Sequence, residues 1–334
     1  MAHPAQPLKY LMPGWYAVTL GLCGLALAWH RAVPLMGEVA GSMAMVVGAL
    51  AAGAFAVLAV ATVLRGLRHA DAWAEDRRHP VRHTFIATLT ASTILLATVA
   101  VALFGPSRPA LWLWGAGALS HLWVTGWVVA RWLRGNGPAG LQWASITPAL
   151  FIPIVGNVLV PLAGVPLGQV EWSAAQFGVG LMFWPVVMAL IVVRIGTQGL
   201  WPERLLPAAF IFIAPPAVVG LSALQLGAPP LLGWALWGMA LFSLGWVATL
   251  APRIGKQPFG MAHWGMSFPL AAMAALTLRL ATPGSPLAVL GPALLALATL
   301  VVLALLMGTV RGLRDGTLLA PEPVASIAPV VTQV

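Results

Sequence analysis

The sequence predicts an all-α membrane protein with ten transmembrane helices. Of its 334 residues, 60% are hydrophobic and only 7% are charged. The apolar runs are about 20 residues long, which is the length that a helix needs to cross a hydrocarbon core of ~30 Å. A transmembrane barrel would instead show alternating segments of ~10 residues. The charged residues lie between the apolar runs or at their ends, which favours helices that cross a membrane.

The ten predicted spans are joined by short connections, so neighbouring spans are expected to form antiparallel hairpins in a single domain, residues 1–334. The first run is nearly twenty residues long and another span follows it directly, so we interpret it as a span and not as a signal peptide. Residues 1–12 and 320–334 are predicted to be short tails. The spans are 13–32, 39–64, 84–104, 110–132, 146–164, 174–193, 205–226, 231–250, 262–280 and 287–310.

The basic residues predict the orientation of the spans. Fourteen of the 17 lysines and arginines fall on one side of this topology, and only Arg31, Arg108 and Arg279 fall on the other. Because cytoplasmic loops carry an excess of Lys and Arg, both termini are predicted to be cytoplasmic. The net charge of +9 is therefore a topology signal. The basic residues lack the aromatic-interleaved pattern of a nucleic-acid surface, so no nucleic-acid partner is expected.

Prolines recur in the odd-numbered spans about every 55 to 70 residues, which is the length of one hairpin. Pro269 cannot donate the backbone bond that the carbonyl of Gly265 would normally receive, so the ninth span should bend there. Repeats that run in one direction across the membrane predict an axis along the membrane normal. Five bent odd helices would then surround a central pore, with five straight even helices outside. The other predicted kinks are at Pro153, Pro215 and Pro216.

Polar side chains in the odd spans are candidates for lining this pore. Because the lysines and arginines lie in loops or at span ends, no fixed cation is expected inside the membrane, and an anion would have to find neutral hydrogen-bond donors there. The candidates are Thr88, Ser92, Asn157 and Ser267. His121, in the fourth span, is the one candidate for a proton relay, and packing or a contact between protomers is the better interpretation of it. Because no carboxylate lies within a span, a channel is favoured over a proton-coupled carrier.

Four phenylalanines and two arginines complete the predicted site. Phe268 lies at the predicted bend, where it could face the pore or pack in the core. Phe85, Phe151 and Phe212 could add apolar constrictions or be ordinary core residues. Arg82 and Arg204 are candidates for a cytoplasmic mouth that concentrates anions, although orientation charge alone would also explain them.

Four runs of sequence resemble the tellurite-resistance/dicarboxylate transporter (TehA) and slow-type anion channel family. They are HPVRHTFIATLTAST at 79–93, TPALFIPIVGN at 147–157, FIAPPAVVGLSA at 212–223 and HWGMSFPLAAMA at 263–274. The resemblance implies a ring of five hairpins, a homotrimer with one pore per protomer, and a path blocked by a phenylalanine of the ninth helix. Phe268 falls on that gate position.

The sequence therefore predicts a gated anion channel of a bacterial inner (cytoplasmic) membrane, with small inorganic anions such as chloride and nitrate and the lipid bilayer as its partners. The alternative is a secondary transporter or exporter of a small oxyanion or C4-dicarboxylate such as tellurite, sulfite or malate. An enzyme is disfavoured, because the only histidine pair at helical ligand spacing, His79 and His83, straddles a proline at a span mouth. No metal or other cofactor is expected.

Overall fold

The computed structural model describes residues 7–135 and 140–320, and every regular element within those ranges is helical. One main helix overlaps each of the ten predicted spans. The predicted tail 320–334 lies outside the described residues except for its first residue, as do residues 1–6 of the other tail. The helices are α1 Ala17–Arg31, α2 Glu38–Arg68, α3 Ile86–Phe104, α4 Arg108–Trp132, α5 Pro148–Gly164, α6 Val170–Gln198, α7 Ala214–Gln225, α8 Pro230–Ala248, α9 Ser267–Leu280 and α10 Leu287–Arg314.

Within the described ranges, six helical stretches are long and apolar enough to cross a membrane, by length and composition. The protein is therefore a membrane protein with several apolar helices. The α-helical parts of α1 and α9 contain 15 and 14 residues, so each is shorter than a full span. The six stretches are Glu38–Arg68, Arg82–Phe104, Val170–Gln198, Glu203–Gln225, Pro230–Ala248 and Leu287–Arg314.

A 3-10 stretch directly precedes α1, α3, α7 and α9 and forms the first turn of α5, whereas the even-numbered helices are continuous α-helices. Pro207 lies inside one of these stretches and supplies no backbone N–H for an α-helical bond. Pro13 and Pro148 stand at the first position of theirs, where no helical bond is lost. Helix α5 is broken further, into alternating 3-10 and α turns. The initial 3-10 stretches are Pro13–Tyr16, Arg82–Phe85, Pro148–Leu150, Glu203–Ile213 and Met261–Met266.

The break in the ninth segment lies slightly before the predicted position. The 3-10 stretch Met261–Met266 ends at Met266, and α9 begins at Ser267. Pro269 thus falls in the first turn of α9, where an absent N–H costs no helical hydrogen bond. Phe268 lies in that same first turn, directly after the change of helix type.

Burial separates the two sets of helices. In the most apolar part of Arg82–Phe104 and of Glu203–Gln225, 61% and 89% of the residues are buried inside the protein. The corresponding share for α2, α6, α8 and α10 is between 22% and 33%. Since the exposed remainder of these even helices is apolar, their outer faces are suited to contact with lipid.

Contacts between helices follow the order of the chain. Each even helix packs on the odd helix before it. Among the odd helices, α1 contacts α3, α3 contacts α5, α5 contacts α7, α7 contacts α9, and α9 contacts α1. Close approach between α1 and α9 depends on Gly21, because a Cβ there would lie 2.2 Å from Oγ of Ser267.

Candidate functional site

A cavity of about 520 Å³ lies at the N-terminal ends of the odd-numbered helices. We call it the N-end cavity. All of its lining residues come from the five odd segments or the residues leading into them, and none comes from an even helix. One representative of each segment, in chain order, is Gly14, Phe85, Phe151, Arg204 and Phe268.

A second cavity, of about 310 Å³, lies at the C-terminal ends of the same helices. We call it the C-end cavity. It is lined by α1, α3, α5, α7 and α9 and by two prolines that follow α3 and α5. Because one cavity collects the first parts of these segments and the other the last parts, the five segments run in the same direction. Its lining includes Arg31, Thr98, Leu162, Gln225 and Ala275.

About two turns of helix separate the two cavities along α3 and α9, whereas along the broken helix α5 the step from Leu159 to Leu162 is three positions. Along α3, Ala91 lines the N-end cavity and Thr98 lines the C-end cavity. These residues are seven positions apart, which corresponds to roughly 10 Å at 1.5 Å per residue. Along α9, the step from Pro269 to Ala275 is six positions, or roughly 9 Å.

Phe268 is placed at the boundary between the N-end cavity and this separating layer. Its side chain lines the cavity and is partly buried. The ring also packs against α1 at Gly24, where an added Cβ would lie 2.8 Å from Cδ2 of Phe268. The ring therefore extends from α9 to α1 beside the cavity.

The other three predicted phenylalanines are not equivalent. Phe85 lines the cavity next to Gly14, and Phe151 lines it as a fully buried side chain. Phe212 does not line it. Its ring packs edge-on against Phe151 with centroids 5.5 Å apart and against Trp246 at 5.0 Å. Phe212 is thus a core residue behind the cavity wall.

The predicted hydroxyl donors are already engaged by backbone carbonyls. Thr88 lines the N-end cavity, but its hydroxyl donates to the carbonyl oxygens of Pro13 and Phe85 at 2.7 and 2.6 Å. Neither Ser92 nor Ser267 is part of the lining. Ser92 donates to the carbonyl of Tyr16 at 3.2 Å, and Ser267 donates to that of Trp264 at 2.7 Å. Thr88 and Ser92 thus connect α3 to the stretch Pro13–Tyr16, and Ser267 bonds within its own segment.

Asn157 is fully buried, and its amide points towards the even helices, so it does not line the cavity. Its Nδ2 donates to Oγ1 of Thr125 at 2.8 Å and to the carbonyl of Pro153 at 3.0 Å, while its Oδ1 accepts from Gln176 at 3.0 Å. The same carbonyl of Pro153 accepts from Thr125. This network holds the broken helix α5 against α4 and α6.

His121 belongs to the same buried region. Its Nδ1 lies 2.7 Å from Oγ1 of Thr90, and a Cβ on Gly156 would lie 2.1 Å from its ring. The imidazole thus fills the space beside the break in α5 and does not line either cavity.

The predicted kink prolines differ in position. Pro215 and Pro269 line the N-end cavity, whereas Pro216 and Pro153 do not. Pro215 and Pro216 lie at the start of α7, directly after the 3-10 stretch Glu203–Ile213.

The two predicted mouth arginines have different environments. Both line the N-end cavity. Arg82 lies 3.2 Å from Oδ1 of Asp76 and 3.3 Å from Oε1 of Glu75, and Asp76 also pairs with the buried Arg65 at 2.7 Å. Arg204 has no ion pair within the described part of the chain. Sequence reasoning missed the acidic partners of Arg82, although Glu75 and Asp76 precede it by seven and six positions.

Sequence reasoning also missed the C-end cavity. Arg31 lines it, together with His30 and Gln225. A signal was present, because Arg31 and Arg279 occupy the last turns of two odd helices, on the side that has few basic residues.

Comparison with known proteins places these features in a family. Residues 10–310 match the family described as SLAC1, voltage-dependent anion channel. The chain is 27% identical over 246 residues to the S-type anion channel SLAH2 of Arabidopsis thaliana, covering 72% of this chain and 46% of that protein. It is 25% identical over 268 residues to the tellurite resistance protein TehA homolog of Haemophilus influenzae, covering 79% of each. These matches confirm the resemblance inferred from the four sequence runs.

A third relative is archaeal. The chain is 22% identical over 302 residues to a protein named as an uncharacterized transporter of Methanocaldococcus jannaschii, covering 80% of this chain and 83% of that one. The chain thus spans less than half the length of SLAH2 and about four fifths of the two prokaryotic relatives.

Proposed function

The chain belongs to the SLAC1 voltage-dependent anion channel family, and from this premise we propose that it is a gated channel for small monovalent anions such as chloride and nitrate. The observation that carries the proposal is the pair of cavities at opposite ends of the odd helices. Of the described residues that line them, none is Asp or Glu. The described walls of both cavities therefore present no carboxylate to an anion.

In the proposed architecture, five hairpins stand around one axis, with the odd helices inside and the even helices outside. The return of the odd-helix contacts from α9 to α1 supports a closed ring. The apolar outer faces of the even helices would meet lipid and, in a homotrimer, neighbouring protomers. We further propose that the N-end cavity opens to the cytoplasm of a bacterium, with both termini on that side of the inner membrane, because the basic residues concentrate there.

Phe268 is the proposed gate. An ion that leaves the N-end cavity must cross a layer roughly 5–10 Å thick, and the benzyl side chain lines the cavity next to that layer, against Gly24. An apolar plug stops ions by excluding the water that solvates them. Rotation of the ring into the cavity would open the path, since the cavity of about 520 Å³ has room to receive it.

Neutral groups would stabilise an anion inside the path. Because the hydroxyls of Thr88, Ser92 and Ser267 are bonded to carbonyls, they are weaker candidates than the backbone itself. All five odd segments begin at the N-end cavity, so the positive ends of their helix dipoles face it. Such partial charges hold a monovalent anion loosely, which suits rapid passage.

A second candidate function is export of a small oxyanion or C4-dicarboxylate, including tellurite. The observation that favours it is the match to the Haemophilus influenzae protein, which is named for tellurite resistance and is covered over 79% of its length. A coupled carrier would need a titratable group on the path. Among the described residues of the separating layer, between Ala91 and Thr98 on α3 and between Pro269 and Ala275 on α9, none is charged or a histidine.

The test is to replace Phe268 with alanine and to record currents across a planar bilayer under an anion gradient. The F268A channel should carry a large ohmic anion current, whereas the wild type should carry little. Phe242→Ala is the matched control, because Phe242 is 80% exposed on α8 and lines neither cavity. Wild-type conductance in F268A would contradict the gate, and flux that requires a co-ion would favour the carrier.

A further inference from the structure

Arg31 is unusual among the enclosed arginines of this protein. It is partly buried at the end of α1 and lines the C-end cavity. The buried Arg65 pairs with Asp76 at 2.7 Å, and the buried Arg194 donates to the carbonyl of Gly199 and stacks on a tryptophan. Within residues 7–135 and 140–320, Arg31 has neither an ion pair nor a hydrogen bond. A partly enclosed cation without a partner is costly unless a counter-ion visits it.

The surroundings of Arg31 reinforce its positive charge. Arg279, in the last turn of α9, lies close enough for the two charges to repel each other. No carboxylate lines the C-end cavity within the described residues. Glu38 and Glu171, the acidic residues on this side of the predicted topology, make no ion pair with Arg31 in the described part of the chain. The positive charges of Arg31 and Arg279 at the C-end cavity are therefore not compensated by a carboxylate of the described chain.

A neutral donor completes the arrangement. Gln225, in the last turn of α7, lines the same cavity, and its amide makes no hydrogen bond within the described part of the chain. The hydroxyl of Thr98, by contrast, already donates to the carbonyl of Ile94 at 2.9 Å. A guanidinium and a free amide on two walls of one cavity are the donors that a small anion requires.

We propose that the C-end cavity is an anion-binding vestibule in which Arg31 is the main ligand, with Gln225 as a neutral donor and Arg279 as a source of long-range field. Its ligand is a small monovalent anion of the class that the channel is proposed to conduct, so the inference rests on the proposed function. Arg31 raises the local concentration of anions in the C-end cavity. It thereby raises the rate at which anions enter the layer between the two cavities. Charged clefts of this kind increase entry rates by at least about tenfold at low salt.

The test compares Arg31→Gln with Arg108→Gln, both in the F268A channel. Arg108 is the matched control, since it lies on the same side of the predicted topology but does not line the cavity. With chloride varied only on the C-end side, R31Q should raise the half-saturating chloride concentration on the order of tenfold. R108Q should leave it unchanged, and R31K should retain most of the wild-type behaviour because it keeps the charge.

A second measurement is independent of conduction. Purified wild-type protein should gain thermal stability as chloride replaces a large organic anion at constant ionic strength, and R31Q should lose most of that gain. Equal half-saturation in R31Q and R108Q, or equal chloride stabilisation in R31Q and wild type, would overturn the vestibule while leaving the channel intact. If F268A carries no anion current, the proposed function fails, and the chloride stabilisation still decides whether Arg31 binds anions.

Discussion

Adding a single methyl group at Gly24 should open the channel partially. A Cβ at this position would lie 2.8 Å from Cδ2 of Phe268 and 3.3 Å from Cβ of Ala271. Carbon atoms in contact are normally ~3.5–4.0 Å apart, so the ring must withdraw by roughly 0.7–1.2 Å. Holding an aromatic side chain away from its rotamer costs about 0.5–1.5 kcal/mol. Because 1.4 kcal/mol is tenfold in an equilibrium constant, the ratio of closed to open channels should fall by roughly two- to tenfold.

The assay is the macroscopic anion conductance of Gly24→Ala in planar bilayers, in the wild-type and F268A backgrounds. Gly24→Ala should raise the conductance in the wild-type background and leave it unchanged in the F268A background. The reason is that the added methyl group acts only through the ring of Phe268. Gly53→Ala is the control, since a Cβ at Gly53 has no neighbour within 4 Å. An equal effect in both backgrounds, or no effect in a correctly folded G24A protein, would refute the placement of the ring against α1.

Two further predictions concern groups outside the path. Asp76→Asn should destabilise the protein by about 3–5 kcal/mol, because it leaves the buried Arg65 without its partner, whereas Glu75→Gln, at an exposed carboxylate, should change thermal stability little. Asn157→Ala should lower stability by about 1–3 kcal/mol through its unsatisfied partners, and in the F268A channel it should leave the chloride-to-nitrate permeability ratio unchanged. A shifted ratio would mean that the Asn157 amide faces the ions.

The positions of the helices could be predicted from the sequence, because hydrophobic length and proline position act locally. Pro207 removes a backbone donor inside the seventh segment, so the irregular beginning of that segment follows from the sequence. Pro13 and Pro148 mark where their segments begin, since a proline is tolerated at the first helical position. The placement of Phe268 beside the cavity follows in the same way, since its position in the first turn of α9 is fixed by the neighbouring break.

The direction of individual side chains could not be predicted, because it depends on contacts between distant segments. Thr88 and Ser92 reach carbonyls that are 75 and 76 residues away in the chain. Asn157 and Phe212 lie on odd segments but turn towards even helices, because their partners are Gln176 and Trp246. The residue pattern within one span does not show which distant segment a side chain will contact. For this reason the sequence predicts four neutral polar residues on the path, of which only Thr88 lines the N-end cavity.

The placement of fixed charge gives the proposed channel its preference for monovalent anions. Arg204 at one mouth and Arg31 at the other would attract anions from both sides, whereas the described residues of α3 and α9 between the two cavities include no charged side chain. The Born cost of entering an apolar region grows with the square of the ionic charge. Partial charges on backbone N–H groups can offset that cost for one elementary charge far more easily than for two. In the proposed channel, a path with charged mouths and a neutral middle would admit chloride or nitrate from either side, and the ring of Phe268 would set the rate.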